Sequence, residues 1–270
     1  IMNFDNADFV NTFPQLQAAF VRKGKVEVIN YLAGETETRV TSINDYEAAL
    51  INDVRTDRYR LFDNGRTLVD FKHIPAAPVE KGSFWEVNNK KVVGGATIGL
   101  KSNIIRAVRF QPPYYKPQLL APLSGDTHSY FYGLNNSGNI LGVSEKVITI
   151  IDSRYRYGIW DRQGHFKTYY TTNRNHVIPR FNDSNLVVLS DGEYPFYKTY
   201  LIPKPGVRLK IENLLDNPTE VVNPMVGILG INNRGDMIGV AARCTADFCL
   251  FDNYFFLKRL PVKPANCPKR

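Results

Sequence analysis

A chain of 270 residues, 43% of them hydrophobic, carries enough apolar side chain to bury a large core, which excludes a disordered polymer. Its formal charge of +8 is scattered over short runs such as 22–25, 90–91 and 208–210, so it reads as a solvated basic surface and disfavours a nucleic-acid partner, which needs a one-signed stripe. The longest apolar run, 147–151, is far short of the roughly 18 to 20 residues of a membrane-spanning helix.

Sixteen Phe, 15 Tyr and many β-branched residues favour strands over helices. In chain order, the opening IMNFDNADFV lacks a basic start followed by an apolar run, so no signal peptide is expected there. Ile1 in place of Met suggests a processed or trimmed chain. A turn motif then recurs. It reads TSINDYEAALI around Asn44, WEVNNKKVVGG around Asn88, YGLNNSGNILGV around Asn135, PRFNDSNLVVL around Asn182 and LGINNRGDMIGV around Asn232. The copies are spaced by 44, 47, 47 and 50 residues, and a weaker copy, NFDNADFVN, has Asp5 in the Asn place. Asn bonds its own backbone two residues on and Gly permits positive φ, so each copy predicts a tight turn between paired strands.

An apolar stretch follows about 15 to 20 residues after each Asn, as in RYRLF (58–62), RAVRF (106–110), RYGIW (156–160) and KTYLI (198–202). Behind it come a second turn and a fourth strand. Four short strands per 40 to 50 residues describe a propeller blade. The expectation is an all-β, single-domain β-propeller of six blades with four antiparallel strands each. Its units are about 1–32, 38–74, 83–122, 129–172, 176–215 and 226–262, with a tail at 263–270.

GLNNSGNILGV followed by RYGIWDRQG, and GINNRGDMIGV followed by CLFDN, resemble the bacterial extracellular HAF repeat, over roughly residues 38 to 260. That family alternates a Gly-Ile-Asn-x-x-Gly hairpin with a His-Ala-Phe-like strand ending in Trp. Here only Trp160 keeps the terminal Trp, and no unit has His-Ala-Phe intact. The resemblance implies an exported propeller, hence a secreted, periplasmic or cell-surface location, and no defined activity.

Residues that do not repeat are the candidates for function. His128 and His176 precede Asn135 and Asn182 by seven and six residues, at the start of the innermost strands of adjacent blades, with Asp126 nearby. Two histidines and an acid suit acid/base work, but they are too few for a metal site, so no metal and no cofactor is expected. Tyr155, Tyr157, Tyr194 and Tyr197 lie in or beside loops of the same face, where aromatic rings suit stacking on sugars or a protein partner. Those loops balance acidic against basic residues. Cys244 and Cys249 flank TADF in a predicted hairpin and are candidates for a disulfide; Cys267 pairing with either, or three free thiols, stays open. Arg234–Asp236 spells RGD inside the repeat's own turn, where chance accounts for it, and the Gly-rich 94–99 falls at a strand end, so neither is assigned a role. The reading is a secreted or surface binding module for a protein or glycan. The alternative is an extracellular carbohydrate-active hydrolase with its site at the channel mouth.

Overall fold

The computed structural model describes residues 19–22, 25–29, 37–53, 56, 58–71, 81–98, 103–149, 151–174, 177–193, 196–214, 225–244 and 249–259. They form an all-β propeller. A hairpin of β1 (Ala19–Arg22) and β2 (Lys25–Val28) comes first. Blade I holds β3 (Thr38–Ile43), β4 (Ala49–Asp53), β5 (Arg58–Asp63) and β6 (Arg66–Asp70). Blade II holds β7 (Lys81–Val87), β8 (Val93–Ile98), β9 (Ile105–Gln111) and β10 (Lys116–Leu120). Blade III holds β11 (His128–Leu134), β12 (Ile140–Val147), β13 (Ser153–Trp160) and β14 (Phe166–Thr172). Blade IV holds β15 (Val177–Phe181), β16 (Val187–Glu193), β17 (Phe196–Lys204) and β18 (Val207–Lys210). Blade V holds β19 (Met225–Ile231), β20 (Met237–Cys244) and β21 (Cys249–Leu257).

The expectation of six four-stranded blades is corrected by this topology. Among the described residues there are five blades, the last with three strands, and the N-terminal unit contributes only the β1–β2 hairpin. The weak copy around Asp5, which would have opened a sixth blade, lies outside the described residues.

The first strand of each blade abuts the first strand of the next, β3 on β7, β7 on β11, β11 on β15 and β15 on β19, so these strands line the axis. The turns between first and second strands, and between third and fourth, therefore share one end of the ring, the turn end. The starts of the first strands and the loops between second and third strands share the other, the mouth end.

At the turn end the recurrent Asn closes its turn and also bonds the neighbouring blade. Asn135 Oδ1 accepts the backbone N–H of Asn139 at 2.9 Å, while its Nδ2 donates to the carbonyl of Asn182 in blade IV at 3.1 Å. The same inter-blade bond runs from Asn44 to Asn88, from Asn88 to Asn135 and from Asn182 to Asn232, at 2.8 to 3.0 Å. A second ring lies beside it: the backbone N–H groups of Asp45, Asn89, Asn136 and Asp183 each donate to the Oδ1 of the following blade's equivalent residue. Three residues beyond each Asn the backbone is left-handed. Gly138 and Gly235 take that conformation freely, whereas Glu47, Lys91 and Asn185 take it with a side chain.

The blades stack through apolar faces. Leu50, Leu61, Val93, Val108 and Phe110 fill the space between blades I and II. Ala96, Ala107, Phe131, Ile140 and Trp160 fill that between II and III. Leu141, Val143, Val187, Leu189 and Ile202 do so between III and IV, and Val188, Ile228 and Met237 between IV and V. Burying each Val, Leu, Ile, Phe or Met side chain among them contributes about 1.5 to 3 kcal/mol. The Gly-rich 94–98 stretch is a packing seat: a Cβ on Gly94 would fall 2.3 Å from the ring of Phe131 in blade III. In blade III a Cβ on Gly142 would fall 2.1 Å from the carbonyl oxygen of Tyr130, where β11 carries a bulge between Phe131 and Gly133.

Candidate functional site

Antiparallel pairing sorts the residues of blade III by face. His128 pairs with Glu145, Glu145 with Tyr155, Tyr130 with Val143, and Tyr157 with both Val143 and Tyr170. Directly paired residues share a face, so Tyr130, Glu145, Tyr155, Tyr157 and Tyr170 crowd together on the side turned to blade IV. Ser144 and Arg156, one residue out of phase, project from the other side.

The result is a row of tyrosines running outward from the axis across two blades. Tyr132 stands at the bulge of β11, partly exposed, with its ring centroid 6.2 Å from that of Tyr157. Tyr157 is 6.4 Å from Tyr170, and Tyr170 is 6.3 Å from Tyr200 of β17. The Arg208 guanidinium caps the row 4.8 Å over the Tyr200 ring, a cation–π contact.

Two carboxylates lie along this row. Glu145, buried, accepts the hydroxyl of Tyr130 and stands opposite Tyr155 in register, and Asp191 of β16 accepts the hydroxyl of Tyr170. Burial first, and these carboxylates second, push the phenols of Tyr130 and Tyr170 far up. Burial and the neighbouring tyrosines, with Asp191 behind them, do the same to Tyr157. Burial, Tyr155 and Glu145 raise Tyr132. At neutral pH these phenols are protonated donors and apolar faces, and none is poised as a base or nucleophile.

The candidate acid, which faces Ser144 and Arg156, and the candidate base, whose ring lies 6.0 Å from that of Tyr130, have other work. The Asp126 carboxylate, in the turn before β11, accepts the Ser144 hydroxyl at 2.6 Å and pairs with the Arg156 guanidinium. Its side chain is only 1% exposed. His128 Nδ1 accepts the backbone N–H of Ile105 in blade II at 3.1 Å. Asp126 and His128 thus tie loops and blades together, and the structure does not converge them on a common ligand. Tyr155 and Tyr157 do come together, joined through Glu145 and the tyrosine row. His176 and Tyr194 lie outside the described residues, as do the side chains of Tyr197, Cys244 and Cys249. The two cysteines are direct register partners between β20 and β21. Among the described residues no group of three His, Cys, Asp or Glu suited to a metal occurs, and no helix is long and apolar enough to cross a membrane.

Tyr130, Tyr132, Glu145, Tyr170 and Asp191 were not among the expected site residues. Their signal was present as alternation in HSYFYG, VSEKV and RYRYG, but it becomes a cluster only once the register between strands is set.

On the axis side, Glu86 of β7 accepts the backbone N–H of Leu134 in β11 at 2.6 Å. Burial raises its pKa, against which the Leu134 hydrogen bond and the positive charge of Arg180 work. Arg180 of β15 donates from Nε to the Leu229 carbonyl of β19 at 2.9 Å, so one polar belt spans four first strands.

No protein-family model matches the chain. No curated protein sequence is similar to it. Among solved structures it is similar to a crystal structure provisionally named a gluconolactonase, at 15% identity and a TM-score of 0.42 over 84% of this chain and 79% of that one.

Proposed function

We propose that this protein is a glycan-binding propeller whose ligand face is the mouth end of blades III and IV. One observation carries the reading. Around the buried Glu145 the rings of Tyr130, Tyr132 and Tyr155 stay partly open to solvent with protonated phenols, while the acid/base candidates among the described residues, Asp126 and His128, are spent on Arg156, Ser144 and Ile105. Aromatic faces stack on sugar rings, and phenol hydroxyls bridge sugar hydroxyls to the carboxylate behind them.

The test is a panel of oligosaccharides screened for binding and hydrolysis. Binding without turnover is expected, weakened about tenfold or more in Tyr132→Ala and Tyr155→Ala and nearly indifferent to salt, as stacking requires. Turnover of a glycan by the unmutated protein would favour the hydrolase. Binding that collapses with salt would favour an electrostatic partner.

Two further parts of the proposal have their own support. The register pairing of Cys244 with Cys249 is the arrangement of a disulfide across a hairpin, and it supports an exported protein in an oxidising compartment, as the HAF-like repeat pattern does. A count of one free thiol in the native protein, rather than three, is the expected result. For the ring, the outward face of blade V exposes Ile238, Tyr254 and Phe256, while Ile29 beyond β2 packs on Ala49 and Ile51 of blade I. Both support a single domain in which the β1–β2 hairpin fills the interval between blades V and I.

A further inference from the structure

At the turn end, on the opposite side of the ring from the tyrosine row, a cleft of about 190 Å³ opens between blades II and III. Lys90 comes to it from the β7–β8 turn, Gln111 from the end of β9, Ser137 from the β11–β12 turn and Arg162 from the β13–β14 turn. No carboxylate lines it.

The electrostatics of its walls are one-sided. Arg109, fully buried behind the cleft, donates to the carbonyls of Gly138, Asp161 and Arg162 at 2.6 to 2.9 Å and to Gln118 Oε1. The Arg162 Nε donates to the Ser137 carbonyl. Backbone acceptors that would give these turns a negative potential are therefore occupied by guanidinium donors. Arg109 touches no carboxylate. Burial pulls its pKa down; nearby Asp161 works against that and Arg162 adds to it.

The acids of the adjoining turns are also engaged. Asp63 holds Lys91 at 2.7 Å, Asp161 holds the His165 ring and backbone, and Asp183 holds Asn136 and Asn233. Among the described residues neither the Lys90 ammonium nor the Arg162 guanidinium meets an acid. The cleft thus has two unneutralised cations at its lip, a third buried behind it, and the Ser137 hydroxyl and Gln111 amide as neutral donors.

We propose that this cleft is a binding site for a small oxyanion of the phosphate or sulfate type, either free or displayed on a larger molecule. Charge-assisted hydrogen bonds from Lys90 and Arg162 hold its oxygens, and the field of Arg109 favours the negative charge from behind. The site is independent of the glycan reading, because it lies at the other end of the ring and shares no residue with the tyrosine row.

The experiment is calorimetric titration of the whole protein with inorganic phosphate, inorganic sulfate and a sulfated monosaccharide at fixed ionic strength. Saturable binding of at least one is expected, with about a tenfold loss in Lys90→Gln, the scale of removing one hydrogen bond to a charged group. Lys90 is exposed, so the variant keeps the fold; Lys258→Gln, an exposed lysine of another blade, controls for non-specific charge and retains full affinity. Arg162→Gln, checked by circular dichroism, gives a second loss. Tighter binding of the sulfated sugar than of inorganic sulfate identifies a displayed group, and equal binding a free ion, and both uphold the site. No saturable binding of any probe, or equal affinity in Lys90→Gln and the parent, overturns it.

Discussion

Asn88 donates its side-chain amide to the carbonyl of Asn135, 47 residues further on, at 2.8 Å, and Asn135 repeats the bond to Asn182. The Asn of the repeat therefore has two functions at once, to turn its own chain and to join its blade to the next. Replacing Asn135 by Ala removes the acceptor for Asn139, the donor to Asn182 and the contact with Asn185. Because the site is buried, orphaned partners add to the loss, and about 2 to 4 kcal/mol of stability is expected to go. Urea unfolding measures it. A loss under about 1 kcal/mol would mean that packing alone holds the blades in register.

Asp126→Asn tests whether that carboxylate is structural. Arg156 loses its charge partner but retains part of its side chain in water, so about 3 kcal/mol is expected, the low end for a broken buried pair. Glycan affinity is expected to stay within about twofold of the parent, since the pair faces away from the tyrosine row. A selective loss of binding with stability intact would return Asp126 to the ligand site.

Glu86 provides a test with a pH sign. Its folded pKa is raised, so its contribution to stability is fully present below the unfolded value and lost as pH rises through the folded one. Above the ordinary carboxylate range the raised pKa is then a net cost, and Glu86→Gln, which keeps an acceptor for Leu134, is expected to raise the urea midpoint at pH 7. The difference shrinks towards zero as pH falls below the ordinary carboxylate range. A variant less stable than the parent at pH 7 would show that attraction to Arg180 outweighs desolvation.

The buried tyrosines predict an alkaline limit. Burial raises Tyr130, Tyr157 and Tyr170 above the usual value and pushes Tyr115 up to about 12. Raised folded pKa values contribute stability that is complete below about pH 10, the unfolded value, and is lost above it. In an absorbance titration of phenolate, part of the 15 tyrosines should ionise only together with the loss of near-ultraviolet circular dichroism. Smooth ionisation of all of them near pH 10 in a folded protein would contradict the buried row.

Gly142→Ala checks the bulge. The added methyl meets the Tyr130 carbonyl and the Trp160 ring, both held by packing, so about 3 kcal/mol is expected by thermal denaturation. Gly65→Ala, where the position is open but φ is +77°, is expected to cost only about 1 kcal/mol.

The sequence by itself determined the periodic part of this protein. Asn at a fixed place before an apolar run specifies a turn and the strand after it through local backbone preference, so the strands, their grouping and the propeller class were legible from Asn44 to Asn232. It did not determine the number of complete blades, because closing a ring depends on contacts between its ends and no local preference encodes them. Of the proposed site it marked Tyr155 and Tyr157 but not the residues they meet. Asp126 and His128 stand two residues apart and suggested a pair, yet Asp126 lies in the turn before β11 and bonds Ser144 and Arg156 within blade III, while His128 bonds Ile105 of blade II. Tyr130, Glu145 and Tyr170 lie up to 40 residues apart and share a face because register sets Tyr130 opposite Val143, Glu145 opposite Tyr155 and Tyr170 opposite Tyr157, a tertiary decision set by which face each blade turns to its neighbour.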